Sequence, residues 1–176
     1  ERLFPATPSV EADSGSAAYD DWTASTSVVD SDHELFDLVI ARSVADLRLL
    51  RNDGPDPGEH YVAAGVPWFS TLFGRDAILT AFEALPFRPQ LAIETLTVLA
   101  NHQSTVDDPT RDAEPGKILH ELRTGEMARS GALPHTPYFG SVDSTPLWLV
   151  LLGATFDRPG DRALLDRLWP NALAAL

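Results

Sequence analysis

Two stretches of the chain set charged side chains inside apolar and aromatic frames, and these are the residues able to do chemistry. The first closes the run Y-V-A-A-G-V-P-W-F-S-T-L-F-G-R-D at 61–76, ending on Arg75 and Asp76. The second spans about 104–143 and carries Arg111, Asp112, Glu114, Lys117, His120, Glu121, Arg123, Glu126, His135 and Asp143. Trp68, Phe69, Phe73, Tyr138 and Phe139 stand among them. Aromatic rings beside carboxylates and guanidinium groups suit sugar recognition. Pyranose faces stack on rings, and ring hydroxyls hydrogen-bond to Asp, Glu and Arg. Cleavage of a glycosidic bond then needs two carboxyl groups, one on each side of the bond.

Each candidate also has a purely structural explanation. Asp143 precedes Ser144-Thr145-Pro146 and an apolar segment, the position of a helix N-cap. A helix N-terminus lowers a carboxyl pKa, whereas a general acid needs it raised. Burial among Tyr138, Phe139 and Trp148 would supply the opposing push. Arg75 and Asp76 at a helix start fit a local ion pair equally well. His120 and Glu121 fit the exposed face of a short helix over 119–124, and Lys117 and Arg123 fit solvated partners. A metal set of His120, Glu121 and His135 matches no known ligand spacing. No G-x-S-x-G elbow supports serine nucleophile chemistry.

The elements that must hold these residues are helical. Residues 1–30 are rich in Ser, Thr, Ala, Asp and Pro and show no helical period, so they read as a linker or the tail of a preceding β-rich domain. Asp30-Ser31-Asp32 offers N-cap residues. Leu35, Phe36, Val39, Ile40, Val44, Leu47 and Leu50 then recur at mostly helical spacing, giving a helix with one wet face that Asn52-Asp53-Gly54-Pro55 stops. Further helices are expected over about 75–85, from Pro89 to about 103, over 144–156, after Asp161, and from Pro170. The 144–156 segment carries Leu147 to Leu152 as one block and should be buried on every side. No β alternation is evident after residue 30. Alternating amphipathic and wholly apolar helices indicate an all-α fold, and a double-layered helical barrel fits better than a four-helix bundle. The connections at 52–74 and 104–143 far exceed the two to eight residues common between helices of a bundle. Their aromatics, glycines and prolines argue for ordered, functional loops.

Composition narrows the partners. The chain has 176 residues, 13 Lys and Arg against 26 Asp and Glu, and a net charge of −13. Nucleic acid and anionic membrane surfaces call for a basic footprint, so neither is expected as a partner. The absence of cysteine excludes disulfides, thiolate nucleophiles and Cys-based zinc sites. The longest apolar run, Pro146 to Ala154, is far shorter than the roughly 20 residues of a spanning helix. With 44% apolar residues the chain can still bury a core. It opens without Met and closes on the apolar Asn171–Leu176, so a piece of a longer protein is expected.

The blocks A-A-G-V-P-W-F-S-T-L-F-G-R-D at 63–76, R-D-A-E-P-G-K-I-L-H-E-L-R at 111–123, G-E at 125–126 and P-Y-F-G-S-V-D-S-T-P-L at 137–147 resemble the amylo-α-1,6-glucosidase (glycogen debranching) family of bacterial and archaeal type. The resemblance covers about 30–176. It implies that 31–176 form the first half of an (α/α)6 barrel of the six-hairpin, glucoamylase-like kind, with a β-rich domain before it. It also implies inverting hydrolysis of α-1,6 branch linkages in glycogen or another branched α-glucan, without cofactor or metal, in the cytoplasm. In that pattern Arg75 and Asp76 match the pair binding hydroxyls of the terminal glucose, and Asp143 matches the general acid. His120 and Glu121 match a loop lining the sugar site, and Trp68 and Tyr138 match aromatic walls. The general base is expected past residue 176, which would leave residues 1–176 inactive alone. Related inverting α-glycosidases, glycoside phosphorylases and non-catalytic carbohydrate-binding modules are the alternatives.

Overall fold

A computed structural model describes residues 10–133, 136–157 and 161–176, with side chains from residue 17 onward. The chain is mainly helical and divides into two compact units, residues 1–48 and 49–176.

In the first unit, residues Val10–Ala24 form α1, although the sequence there shows no helical period. Fifteen residues with several Ala and few strong breakers suffice once a single anchor is buried. That anchor is Trp22, which is buried and whose indole N–H donates to the Val44 carbonyl at 3.0 Å. The following helix, α2 (Glu34–Leu50), begins two residues later than the Asp30-Ser31-Asp32 caps suggest. His33 takes the capping role: its Nδ1 accepts from the Phe36 N–H at 3.2 Å. Ser31 instead donates its hydroxyl to the Asp37 carboxylate at 2.8 Å. The expected dry face of α2 is not formed, because no α2 residue is fully buried and Leu35, Phe36, Leu38 and Val39 are exposed.

The second unit holds the core and the candidate site. Helices α3 (Gly74–Ala84), α4 (Pro89–Asn101), α6 (Ser144–Asp157) and α7 (Arg162–Ala174) bury Ile78, Leu91, Leu96, Leu99, Leu151 and Trp148 against one another. The Trp148 indole N–H donates to the Leu96 carbonyl at 3.2 Å, so this large ring is buried without an orphaned donor. The sequence punctuation locates three of these helices to within two residues. Two expectations are corrected here. Pro170 does not open a sixth helix but lies inside α7. The proline costs on the order of 3 kcal/mol, and burying Leu164, Leu168 and Ala172 on either side offsets it. Nor is α6 buried on every side: Leu151 is wholly buried, while Val150 is 55% exposed.

The two long connections are ordered, and both contain short strands that the sequence does not announce. β1 (Arg51–Asp53) and β2 (His60–Val62) pair antiparallel, with Arg51 opposite Val62 and Asp53 opposite His60. Arg51 also grips Glu94 of α4 through two hydrogen bonds of 2.8 and 3.0 Å, clamping the hairpin to the core. β3 (Leu72–Phe73) pairs antiparallel with β4 (Glu121–Leu122), joining the end of the first connection to the middle of the second. The helix expected over 119–124 is therefore a strand. A one-turn helix, α5 (Glu126–Arg129), follows it. Among the described residues no helix is long and apolar enough to cross a membrane.

Candidate active site

The candidate site forms where β3 runs into α3. Gly74 has no room for a side chain: a Cβ there would lie 2.0 Å from the Leu119 carbonyl oxygen and 3.0 Å from the Ser144 hydroxyl. Its N–H donates to the His120 carbonyl at 2.9 Å. This close approach seats the first turn of α3 on the 119–120 backbone and beside the first residue of α6. Arg75 and Asp143, 68 positions apart in sequence, thereby become neighbours. Arg75 Nη1 donates to Asp143 Oδ2 at 3.2 Å. Both side chains are more than one-third exposed, at 47% and 38%. A pair so wetted adds about 0–1 kcal/mol to stability, so holding the fold together is a poor explanation for it.

Arg75, Asp76 and His120 line a cleft of about 300 Å³ together with Ala64, Phe69 and Phe73. Its walls are aromatic and mutually braced. Phe69 packs edge-on to Phe73 with centroids 5.9 Å apart, Phe73 to His120 at 5.8 Å, and His120 to Tyr138 at 6.0 Å. Tyr138 is steered by Asp112, whose carboxylate accepts from the phenol at 2.6 Å, and that hydrogen bond raises the phenol pKa. Gly140 permits this arrangement, since a Cβ there would lie 2.2 Å from the Tyr138 hydroxyl. The carboxylate of Asp76 forms no hydrogen bond among the described residues and stays available to a ligand.

Asp143 sits at the N-terminus of α6, and its carbonyl accepts the Leu147 N–H at 3.0 Å. Its carboxylate turns to Ser141, whose hydroxyl donates to Oδ1 while accepting the Ser144 N–H at 3.2 Å. The Ser141 hydroxyl is the main cause that holds the Asp143 carboxyl below the ordinary range. Partial burial works against it, and Arg75 adds to it. The upward push expected from Tyr138, Phe139 and Trp148 does not prevail: Phe139 and Trp148 are buried in the core, while Asp143 keeps much of its solvent contact. In this environment the carboxylate is the favoured form.

Four sequence-derived candidates are not among the residues that line the cleft: Asp143 and Tyr138, which reach it through Arg75 and His120, and Glu121 and Trp68. Glu121 is buried opposite Phe73 in the β3–β4 ladder and forms an ion pair with Arg123. Arg123 in turn lies over the Phe73 ring, 5.9 Å from its centroid, and donates to the Trp68 carbonyl at 3.2 Å. Glu121 thus braces the wall from behind. Trp68 is 78% exposed on the loop bridged by Gly65 and Phe69. His135 of the considered metal set lies outside the described residues, and Glu121 is committed to Arg123. Lys117 pairs with Glu114 at 2.9 Å.

The buried Glu59 has no counterpart in the sequence reading. Its carboxylate accepts from Asn101 at 2.7 Å and from the Asp56 N–H at 3.2 Å, and it meets His102 Nε2 at 3.1 Å. Burial pushes its pKa up, but these hydrogen bonds outweigh burial and hold it below the ordinary carboxylate range. Asp56, Glu59 and His102 are the one group among the described residues close enough to share a metal ion. Because the Glu59 oxygens already have partners, the group reads as a structural hydrogen-bond node. No known family model matches the chain, and no characterised protein matches it either.

Proposed function

We propose that this chain is the sugar-binding half of a glycoside hydrolase catalytic domain, built as the first part of an (α/α)6 barrel. Its substrate is the α-1,6-linked glucosyl branch of glycogen or a related branched α-glucan, hydrolysed with inversion in the cytoplasm. The observation that carries the reading is the meeting of Arg75 and Asp143 beside an aromatic-walled cleft that contains Asp76 and His120. Arg75 donates to sugar hydroxyls and Asp76 accepts from them. Phe69 and Phe73 present apolar surface to the pyranose, and His120 and Tyr138 extend that wall, with Trp68 and Glu121 supporting it. Asp143 protonates the glycosidic oxygen.

The lowered pKa of Asp143 sets a requirement on this mechanism. A general acid must hold a proton near neutral pH. In an inverting pair the opposing carboxylate lies about 6.5–9.5 Å away. A like charge at that range, together with a neutral sugar displacing water, raises the pKa again. The base, from the later half of the barrel, is therefore expected both to activate water and to keep Asp143 protonated. No metal or cofactor takes part.

A second reading has one observation in its favour. As an ionised hydrogen-bond acceptor Asp143 is already suited to holding a sugar hydroxyl, as in a carbohydrate-binding module without turnover. Asp143→Asn in the full-length protein separates the two. The hydrolase reading expects kcat for glucose release from a branched limit dextrin to fall by about 10²–10⁴, with β-glucose as the first product seen by proton NMR. Near-normal turnover in the variant would remove Asp143 from the acid role. A wild-type protein that binds dextrin without turnover, with or without phosphate, would favour the module.

A further inference from the structure

His120 reaches the cleft with a fastened backbone and an unfastened ring. Its carbonyl accepts the Gly74 N–H at 2.9 Å, and its own N–H donates to the Tyr138 carbonyl at 2.8 Å. Its imidazole lines the cleft and makes no hydrogen bond with any described residue. Two rings meet it edge-on instead, Phe73 at an interplanar angle of 80° and Tyr138 at 79°. Such contacts are weak and depend on orientation. The setting of the imidazole therefore follows the setting of the Tyr138 ring.

Tyr138 is set in turn by Asp112. Its phenol donates to Asp112 Oδ2 at 2.6 Å, in the short range of hydrogen bonds to an ionised carboxylate. Asp112 follows the single 3-10 turn Pro109–Arg111 with φ 51°, in the left-handed region. Among the described residues it is the one non-glycine residue with positive φ. The turn alone would be served better by Gly, which meets no steric cost there. Nor does the turn need the carboxylate as an anchor. The Asp112 carbonyl accepts the Lys117 ammonium at 2.9 Å, and the Arg111 carbonyl accepts the Phe139 N–H at 2.9 Å. The backbone around Asp112 is thus held without its side chain, and Tyr138 is what accounts for that side chain.

We propose that Asp112 is a positioning residue of the sugar cleft: through Tyr138 it holds the His120 imidazole at the angle that brings a ring nitrogen to a sugar hydroxyl. The proposal rests on the sugar-site reading of the cleft and adds a determinant of sugar affinity that does not itself line it. Asp112 acts on the His120 ring alone, because the His120 backbone is fastened separately to Gly74 and Tyr138.

The test uses the full-length protein with Asp112→Gly and Asp112→Asn. Gly keeps the left-handed turn and removes the acceptor, so the variant stays folded. Asn tolerates the same backbone and keeps an acceptor oxygen for the phenol. The first readout is the His120 resonance in protein labelled with ¹³Cε1-histidine, assigned by its loss in His120→Gln. The second is the Kd of maltotriose in the Asp143→Asn background, which needs no turnover. Asp112→Gly is expected to displace the resonance and to weaken maltotriose about two- to fivefold, the effect of one modest hydrogen bond. Asp112→Asn should restore most of both. A purely structural role would lower the melting temperature of Asp112→Gly and leave the other two readouts unmoved, which would overturn the proposal. A displaced resonance with unchanged maltotriose affinity overturns it as well. Asp112→Asn values equal to those of Asp112→Gly would assign the effect to the lost charge, with the same consequence. If the Asp143→Asn protein binds no maltotriose, the sugar-site reading fails, and the His120 resonance alone decides whether Asp112 sets that ring.

Discussion

At the scale of single residues, the sequence supplies the identity of the reactive groups but not their pairing. Arg75, Asp76, His120 and Asp143 stand out because each interrupts an apolar or aromatic frame. Nothing within 68 residues of chain indicates that Arg75 would reach Asp143. The role of Ser141 was equally hidden, since its hydroxyl sits between the Ser144 N–H and the Asp143 carboxylate only in the folded turn. That position makes it a direct lever on the proposed acid. Ser141→Ala and Arg75→Gln are each expected to raise the Asp143 pKa. Carboxyl ¹³C titration by NMR reads both, and an Asp143 pKa unmoved by Ser141→Ala would remove the hydroxyl as the cause. The sign for stability follows. A carboxyl lowered from 3.8 stabilises the fold above that pH, and the contribution disappears as pH falls through the lower folded value.

At the scale of elements, legibility follows the length of the periodic signal. α3, α4 and α6 were readable because 11 to 14 residues of pattern end on Pro, Gly or Asp. β3 and β4 have two residues each, too few for any alternation to register, and they exist because Gly74 lets two backbones meet. Gly74→Ala is therefore expected to cost at least about 1–3 kcal/mol, because the atom it strikes is backbone that cannot swing aside. A melting temperature within 1 °C of wild type would contradict this, since roughly 2–4 °C per kcal/mol applies at this size. The turn between β1 and β2 depends on Glu59 in the same way, for it fastens that turn to Asn101 and His102 at the end of α4. Because the Glu59 pKa is held below 4.5, its contribution is complete above that pH and is lost as pH falls. Glu59→Gln is expected to cost about 1–3 kcal/mol at pH 7 and to flatten the acid limb between pH 5 and 3. Urea denaturation at both ends of that range measures it, and an unchanged slope would place the charge elsewhere.

At the scale of the whole molecule, net charge and exposed apolar surface pull in opposite directions. The charge of −13 favours dispersed monomers through mutual repulsion. Against it, Leu79 and Phe82 on α3, Val150 on α6, and Trp169 and Leu173 on α7 are all exposed. Apolar residues scattered singly on a surface are ordinary, but large ones spaced three or four apart on a helix lie on one face. Repulsion is screened beyond about 8 Å at physiological salt, whereas apolar association is not weakened by salt. Attraction should therefore win as salt is added. The 176-residue chain alone is expected to be monomeric at low salt and to self-associate in about 0.5 M sodium chloride, where the screening length falls below 5 Å. The pair Trp169→Glu with Leu173→Glu should restore the monomer, as seen by size-exclusion chromatography with light scattering. A mainly helical composition could be read from sequence because it depends only on local period. Which helical faces find cover depends on distant chain, and the same dependence applies to the chemistry. In the proposed mechanism the opposing carboxylate belongs to the later half of the barrel, so the 176-residue chain should bind maltotriose in the Arg75–Asp76 cleft yet release no glucose from a branched dextrin. Measurable, Asp143-dependent release by this chain would show that a carboxylate within it, Asp76 foremost, serves as the base.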